Sequence, residues 1–354
     1  MILPVSPVPS AADSIHAAIA ASQGSIPFSS FMDLALYSEH GFYSTTGRAG
    51  RRGDFITSAE VGPLFGTVLA RAIDDVWNRL GQPDNFQIVE VGAGPGTLAR
   101  SILAAQPECL QRGEYITIET SEAQRALHPD GVTSIDSMPS VIEHGVVIAN
   151  ELLDNIPFEL WVYDDGWREA HVIATGDTFS EILVNSPVPS FLPSRVPHGS
   201  RAPIQREASQ WLADSLSILR RGSVIVIDYC TPLTAEVASM PWREWLRTYA
   251  SHEKGTHYLR NPGEQDITTQ VLIDQLSAVR EPDAVRTQAQ FLQRWGIDEL
   301  VEEGKRVWAE QASAPTLAAI KMRSRITEAE ALLDETGLGN FTVLEWSQKK
   351  TDVE

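Results

Sequence analysis

Residues 88–98 read I-V-E-V-G-A-G-P-G-T-L: an apolar strand that carries Glu90 near its end, glycine at 92, 94 and 96, and a helix start at Thr97. A strand that passes into a helix through a glycine-rich turn is the βα unit of an α/β fold. Glycine there can take positive φ and lets the backbone run close beneath a ligand, while the strand-to-helix turn aims N–H groups at the ligand's polar end. The turn, with Gly92, Ala93, Gly94, Gly96 and Thr97, is thus a candidate cradle for a nucleotide-type cofactor; a plain tight βα connection is the alternative. Its third glycine comes one residue earlier than in the dinucleotide fingerprint, and the absence of lysine excludes a Walker-type phosphate loop.

Two more strand ends fall in register with it. The run Y-I-T-I at 115–118 ends in Glu119 and Thr120, and an acid at that place can accept both hydroxyls of a ribose. A third strand, 132–135, ends in Asp136, Ser137 and Met138, where the edge and face of an adenine would be held. The fourth, 145–149, runs into A-N-E-L-L-D-N-I-P at 149–157 and sets Asn150, Glu151 and Asp154 at a carboxyl end, where open α/β sheets bind ligands. Helix capping by Asn150, with Glu151 and Asp154 in a first turn, is the competing explanation.

The alternation of strands and helices from 86 to 228 predicts a mostly parallel, Rossmann-like sheet, which makes 82–232 the cofactor-binding core. Alternating W-V-Y and H-V-I segments within 158–184 predict an antiparallel hairpin insertion. Around this core, 1–27 reads as an N-terminal arm whose helix is capped by Ser10 and Asp13, and 28–81 as a helical cap with a long glycine-rich loop. That loop carries Asp54, Phe55, Thr57, Ser58 and Glu60 behind Arg48, Arg51 and Arg52, a second cluster of candidates. Residues 233–330 read as a helical insertion on the substrate side, and 331–354, with F-T-V-L-E-W, as a strand closing the sheet as an antiparallel hairpin edge.

Composition narrows the partners. Forty-seven acidic against 28 basic residues give a net charge of −19, which disfavours nucleic acid and favours a cationic group or a basic protein segment. The two cysteines have no C-x-x-C spacing and the eight histidines are scattered, so no metal is assigned. Nothing in the first 27 residues resembles a signal or transit segment, and no apolar run approaches a membrane span; the expected location is the cytoplasm. No G-x-S-x-G elbow is present. No feature sets an oligomeric state.

Four segments together, G-D-F-I-T-S-A-E at 53–60, V-E-V-G-A-G-P-G-T-L at 89–98, E-T-S at 119–121 and A-N-E-L-L-D-N-I-P at 149–157, resemble the MidA-type methyltransferases. V-I-D-Y at 226–229, N-P-G-E-Q-D-I-T at 261–268, Q-A-Q-F-L-Q-R-W-G-I at 288–297 and G-L-G-N-F at 337–341 extend the resemblance along nearly the whole chain. It implies a class I methyltransferase fold that binds S-adenosylmethionine through Glu90, Gly92, Gly94, Gly96, Glu119 and Asp136, with Asn150 and Glu151 where cofactor and substrate meet. The segment 53–60 would cap that junction. For the mitochondrial relatives the implied acceptor is an arginine on a subunit of respiratory complex I. A guanidinium stays protonated at neutral pH, so carboxylates must bind and orient it; Glu151, Asp154 and Asp54 are the candidates. Cys230, Gln270 and Leu272 depart from the usual pattern on the substrate side. Methylation of a small molecule and a non-catalytic, cofactor-binding assembly factor remain alternatives, whereas the glycine spacing disfavours a hydride-transferring dehydrogenase.

Overall fold

The β-branched runs that dominate the middle of the sequence pair as the centre of a seven-stranded sheet. Its strands are β1 (Phe86–Val91), β2 (Glu114–Ile118), β3 (Thr133–Ile135), β4 (His144–Asn150), β5 (Gly222–Asp228), β6 (Ala284–Thr287) and β7 (Thr342–Gln348). Their order is β6-β7-β5-β4-β1-β2-β3. Strands β1 to β5 run parallel, and β7 lies antiparallel between β5 and β6. Every residue of β5 is buried, which is why its middle, V-I-V-I at 224–227, reads as a continuous apolar run rather than an alternating one. The expected C-terminal strand is present, but the edge beside it is β6. Four residues, A-V-R-T, are too short for a periodic signal, and they were assigned to the helical insertion.

The computed structural model describes residues 9–45, 57–250, 253–255 and 257–349. It divides into two units, each made of three separate stretches. The sheet belongs to the unit of residues 55–153, 211–230 and 280–354. Its helices α1 (Pro63–Arg79) and α2 (Thr97–Ala105) bury Phe65, Val68, Leu69, Ile73, Leu98 and Ile102 against Ile88, Ile148 and Ile225. The helical spacing of those apolar positions is what turns one face of each helix inward. Truncating Leu69 to alanine would cost about 2–5 kcal/mol. Three later helices, α3 (Gln288–Arg294), α4 (Ile297–Gln311) and α5 (Leu317–Leu333), complete this unit.

The other unit comprises residues 1–54, 154–210 and 231–279. The expected hairpin is its central feature: Glu159–Tyr163, Trp167–Thr175 and Thr178–Val184 pair antiparallel in a five-stranded sheet. The helix Ala11–Ala21 begins with the predicted cap, Asp13 N donating to Ser10 Oγ (3.3 Å) and Ser10 N to Asp13 Oδ2 (2.8 Å). Its Ile15 and Ile19 are buried beside Phe28, Phe31 and Met32, so this segment contributes to a core rather than trailing as an arm. The stretch expected to be helical is mixed. Helices Thr234–Ser239, Trp242–Trp245 and Ile273–Ser277 are short, and Arg247–Ala250, Glu253–Lys254 and Asp266–Thr268 form a small antiparallel sheet. Among the described residues no helix is long and apolar enough to cross a membrane.

Candidate functional site

Gly92, Gly94 and Gly96 adopt φ of +68°, +53° and +75°. A Cβ on Gly92 would stand 2.7 Å from Leu152 Cδ1, and one on Gly96 2.9 Å from Pro129 Cδ, so both positive φ and tight packing require glycine here. The turn's amides are used differently from the expectation. Gly92 N and Ala93 N donate to Ile118 O (2.9 and 3.1 Å), Gly94 N to Glu119 Oε2 (3.0 Å) and Gly96 N to Ala93 O (2.8 Å). These four N–H groups are engaged within the fold.

Glu119 is brought directly to it. Its second oxygen accepts from Ser121 N (2.8 Å) and, at the limit of hydrogen bonding, from Thr120 Oγ1 (3.5 Å). Glu119 N donates to Ile135 O, which places Asp136 on the neighbouring strand end; Asp136 and Ser137 are exposed and Met138 is half-buried. On the other side of β1, Val91 is in register with Ala149, so Asn150 follows beside Gly92. Asn150 Nδ2 donates to Glu151 Oε1 (3.3 Å), and its Oδ1 is buried without a partner among the described residues. An unpaired buried acceptor costs about 1–3 kcal/mol, and a ligand that supplies a donor recovers it.

Glu90 does not join this group. Its carboxylate is 4 % exposed and accepts from the Tyr115 hydroxyl (2.7 Å) on the sheet face that carries Ile88, and burial pushes its pKa to about 7. The strand's alternation sends it into the core instead of toward the turn.

Glu151 sits at φ +52°, a left-handed conformation that costs a non-glycine residue about 1–2 kcal/mol. The neighbouring groups impose it. Its N–H donates to Ile227 O (2.8 Å), and its Oε1 accepts from Ser58 N (3.4 Å). Ser58 is fully buried and donates from Oγ to Gln288 Oε1 (2.8 Å), and Thr57 N donates to Glu60 Oε2 (3.4 Å). The structure thus brings Ser58 to Glu151, while Thr57 and Glu60 pair with each other as the capping box of the short helix Ser58–Val61. Asp54 and Phe55, with Arg48, Arg51 and Arg52, lie outside the described residues. The capping explanation for 150–154 fails, because a 3-10 turn, Leu153–Asn155, follows and no α-helix starts at Asn150.

Asp154 has other partners. It belongs to the second unit, where its Oδ2 accepts from Thr268 Oγ1 (2.6 Å) and its carbonyl from Thr269 N (3.0 Å). Nearby, Tyr43 Oη and Asn155 Nδ2 donate to Asp266 Oδ1 (2.9 and 3.0 Å).

Sequence reasoning missed two residues that position this site. His128 Nε2–H donates to Gly94 O (2.8 Å), while its Nδ1 accepts from the hydroxyls of Thr117 (2.9 Å) and Ser134 (2.8 Å); a carbonyl on one side and two hydroxyls on the other set this tautomer. Asp228, fully buried, accepts from Leu153 N (2.9 Å) and Tyr229 N (2.8 Å) and so fixes the loop after Glu151. The V-I-D-Y segment signalled Asp228, whereas nothing local marks His128. Bare glycine backbone, a ribose-matched acid and an acceptor awaiting a donor suit a nucleoside cofactor with an amino-acid end.

Residues 68–291 match the family described as S-adenosyl-L-methionine-dependent methyltransferases. The chain is 28 % identical over 208 residues to the mitochondrial protein arginine methyltransferase NDUFAF7 homolog of Drosophila melanogaster, covering 48 % of this chain and 47 % of that one. To mitochondrial NDUFAF7 of Xenopus tropicalis it is 26 % identical over 328 residues, 78 % of this chain and 73 % of the relative. The chain spans about half the length of the first curated relatives it matches. A protein from Burkholderia thailandensis, solved bound to S-adenosyl-homocysteine, superimposes with a TM-score of 0.80 at 25 % identity over 97 % of this chain and 95 % of that one. The mitochondrial naming of the curated relatives overturns the expectation of a cytoplasmic location, which rested only on the missing leader pattern. Geometry and comparisons agree on one conclusion: the chain belongs to the S-adenosyl-L-methionine-dependent methyltransferases, with the class I fold and the cofactor of that family.

Proposed function

We propose that this methyltransferase modifies an arginine side chain in a basic protein segment, with Glu151 as the group that binds and orients the guanidinium. The observation that carries the proposal is the Glu151 carboxylate, held in left-handed backbone by Asn150 and Ser58 beside the cofactor turn. Strained residues persist only where surrounding contacts over-determine them, and they cluster at reacting centres. The net charge of −19 and relatives named as protein arginine methyltransferases support a cationic acceptor.

S-adenosylmethionine supplies a methyl group on a sulfonium, which is open to in-line displacement. The protein must then hold one guanidinium nitrogen in line at close approach. Glu151 Oε1 and Oε2 would take the N–H groups of the other nitrogens, localise positive charge on them and leave the attacking nitrogen more electron-rich. The proton lost after transfer passes from that nitrogen to Glu151 or to water. Glu119, Thr120, Asn150 and Asp136–Met138 would hold the cofactor, and residues 57–60 would cap it. Asp154 is committed to Thr268, so Glu151 carries the orienting role.

The test incubates the purified chain with S-adenosylmethionine and arginine-bearing basic peptides, their lysine counterparts and a metabolite extract, followed by mass spectrometry. Methylation confined to arginine peptides is expected. Glu151→Gln should lower kcat on the order of a hundredfold with cofactor affinity nearly unchanged. Methyl transfer to a metabolite but to no peptide would sink the reading in favour of a small-molecule enzyme. Cofactor binding without turnover on any acceptor would favour an assembly role.

A further inference from the structure

Gln124 lies in the helical turn Glu122–Arg125, five residues after Glu119, and is 2 % exposed. Its backbone N–H donates to Ser121 O (3.1 Å). Its side-chain Oε1 is buried and meets no donor among the described residues. That oxygen faces the middle of the cofactor turn: a Cβ added to Gly94 would stand 3.3 Å from it. Buried carboxamide oxygens are nearly always paired, so an isolated one beside a ligand turn marks a place where a bound molecule brings the donor. Among the described residues Asn150 Oδ1 is the other such carboxamide oxygen, near Gly92 rather than Gly94.

We propose that Gln124 is a cofactor ligand whose Oε1 accepts a hydrogen bond from the nucleoside half of S-adenosylmethionine, from a ribose hydroxyl. The choice of donor follows from charge and place. Gln124 approaches Gly94, the glycine whose N–H holds the ribose-matched Glu119. A neutral amide oxygen suits a neutral hydroxyl, whereas a desolvated ammonium requires a carboxylate. The assignment rests on cofactor use alone and is independent of the acceptor proposed for Glu151.

An orphan acceptor kept for a ligand and one that supports the fold respond oppositely to an apolar isostere. In Gln124→Met the ligand-free protein should melt no lower than the parent, because an unpaired buried acceptor is removed. Titration calorimetry should show S-adenosylhomocysteine binding weakened roughly tenfold, and 5′-methylthioadenosine, which lacks the amino-acid end, weakened by the same factor. Gln124→Glu keeps an acceptor oxygen in place and should bind both within about threefold of the parent. Parent-like affinity in Gln124→Met, or a melting point several degrees lower without ligand, would overturn the proposal. So would a loss seen with S-adenosylhomocysteine but not with 5′-methylthioadenosine, which moves the donor to the amino-acid end. Failure of the parent to bind S-adenosylhomocysteine would instead remove cofactor use itself, before any variant is made.

Discussion

Each of the two units buries a carboxylate, and each carboxylate is handled differently. Glu90, in the parallel-sheet unit, has the Tyr115 hydroxyl as donor, and burial lifts its pKa to about 7. Asp266, in the other unit, receives hydrogen bonds from Tyr43, Asn155 and the Ile267 backbone, and burial lifts its pKa to about 6. Desolvation favours the neutral form in both, and the donors around each oppose it. Glu119, proposed as a cofactor group, differs from both: it sits at a strand end and accepts backbone N–H groups from Gly94 and Ser121. A buried acid in this chain is therefore not by itself a sign of chemistry; its donors and its place in the strand separate ligand groups from core groups.

The largest expected effect would break that distinction if it failed. Glu119→Ala should weaken S-adenosylhomocysteine binding roughly a hundredfold by titration calorimetry if Glu119 holds the ribose as proposed, while Asp266→Asn should leave affinity within about twofold. Similar losses in both would mean that the two acids are not functionally distinct. Next comes His128→Ala, which should cost roughly tenfold in the same affinity by releasing the Gly94 carbonyl. His128→Gln keeps a donor and should recover most of it.

The smallest effect sharpens the comparison through pH. The folded pKa of Glu90 is raised above its unfolded value, so the folded state binds the proton more tightly. Stability is then highest below the ordinary glutamate range and falls as pH rises toward about 7. Glu90→Gln should accordingly raise Tm by several degrees near pH ~8 and by little near pH ~5. For Asp266→Asn the corresponding window should lie lower and end at about pH 6. Coincident windows for the two variants would contradict the separate environments of the two acids.

The parallel sheet was legible because its signals are local: β-branched runs, acidic strand ends and three glycines within a few residues. Glu119, Asn150 and Glu151 could be named for the same reason. Glu90, placed with the cofactor residues by the resemblance, is buried against the Tyr115 hydroxyl, a position that follows from the two-residue alternation of a strand and not from its spacing to the glycines. Within the expected helical insertion 233–330 the helices from Gln288 onward are present, whereas Arg247–Ala250 and Asp266–Thr268 are strands by virtue of pairing between residues distant in sequence. His128 and Gln124 could not be found at all. Their roles come from folding back under Gly94, which no periodicity records.

The pairing of β7 with β5 also bears on how the protein is made. β5 is buried along its whole length, yet one of its edges has no partner until residues 342–348 have been synthesised. Until then a ribosome-bound chain presents an apolar strand with unpaired backbone groups, the kind of edge that recruits other chains. Fragments that stop short of β7 should therefore aggregate rather than accumulate as small folded domains.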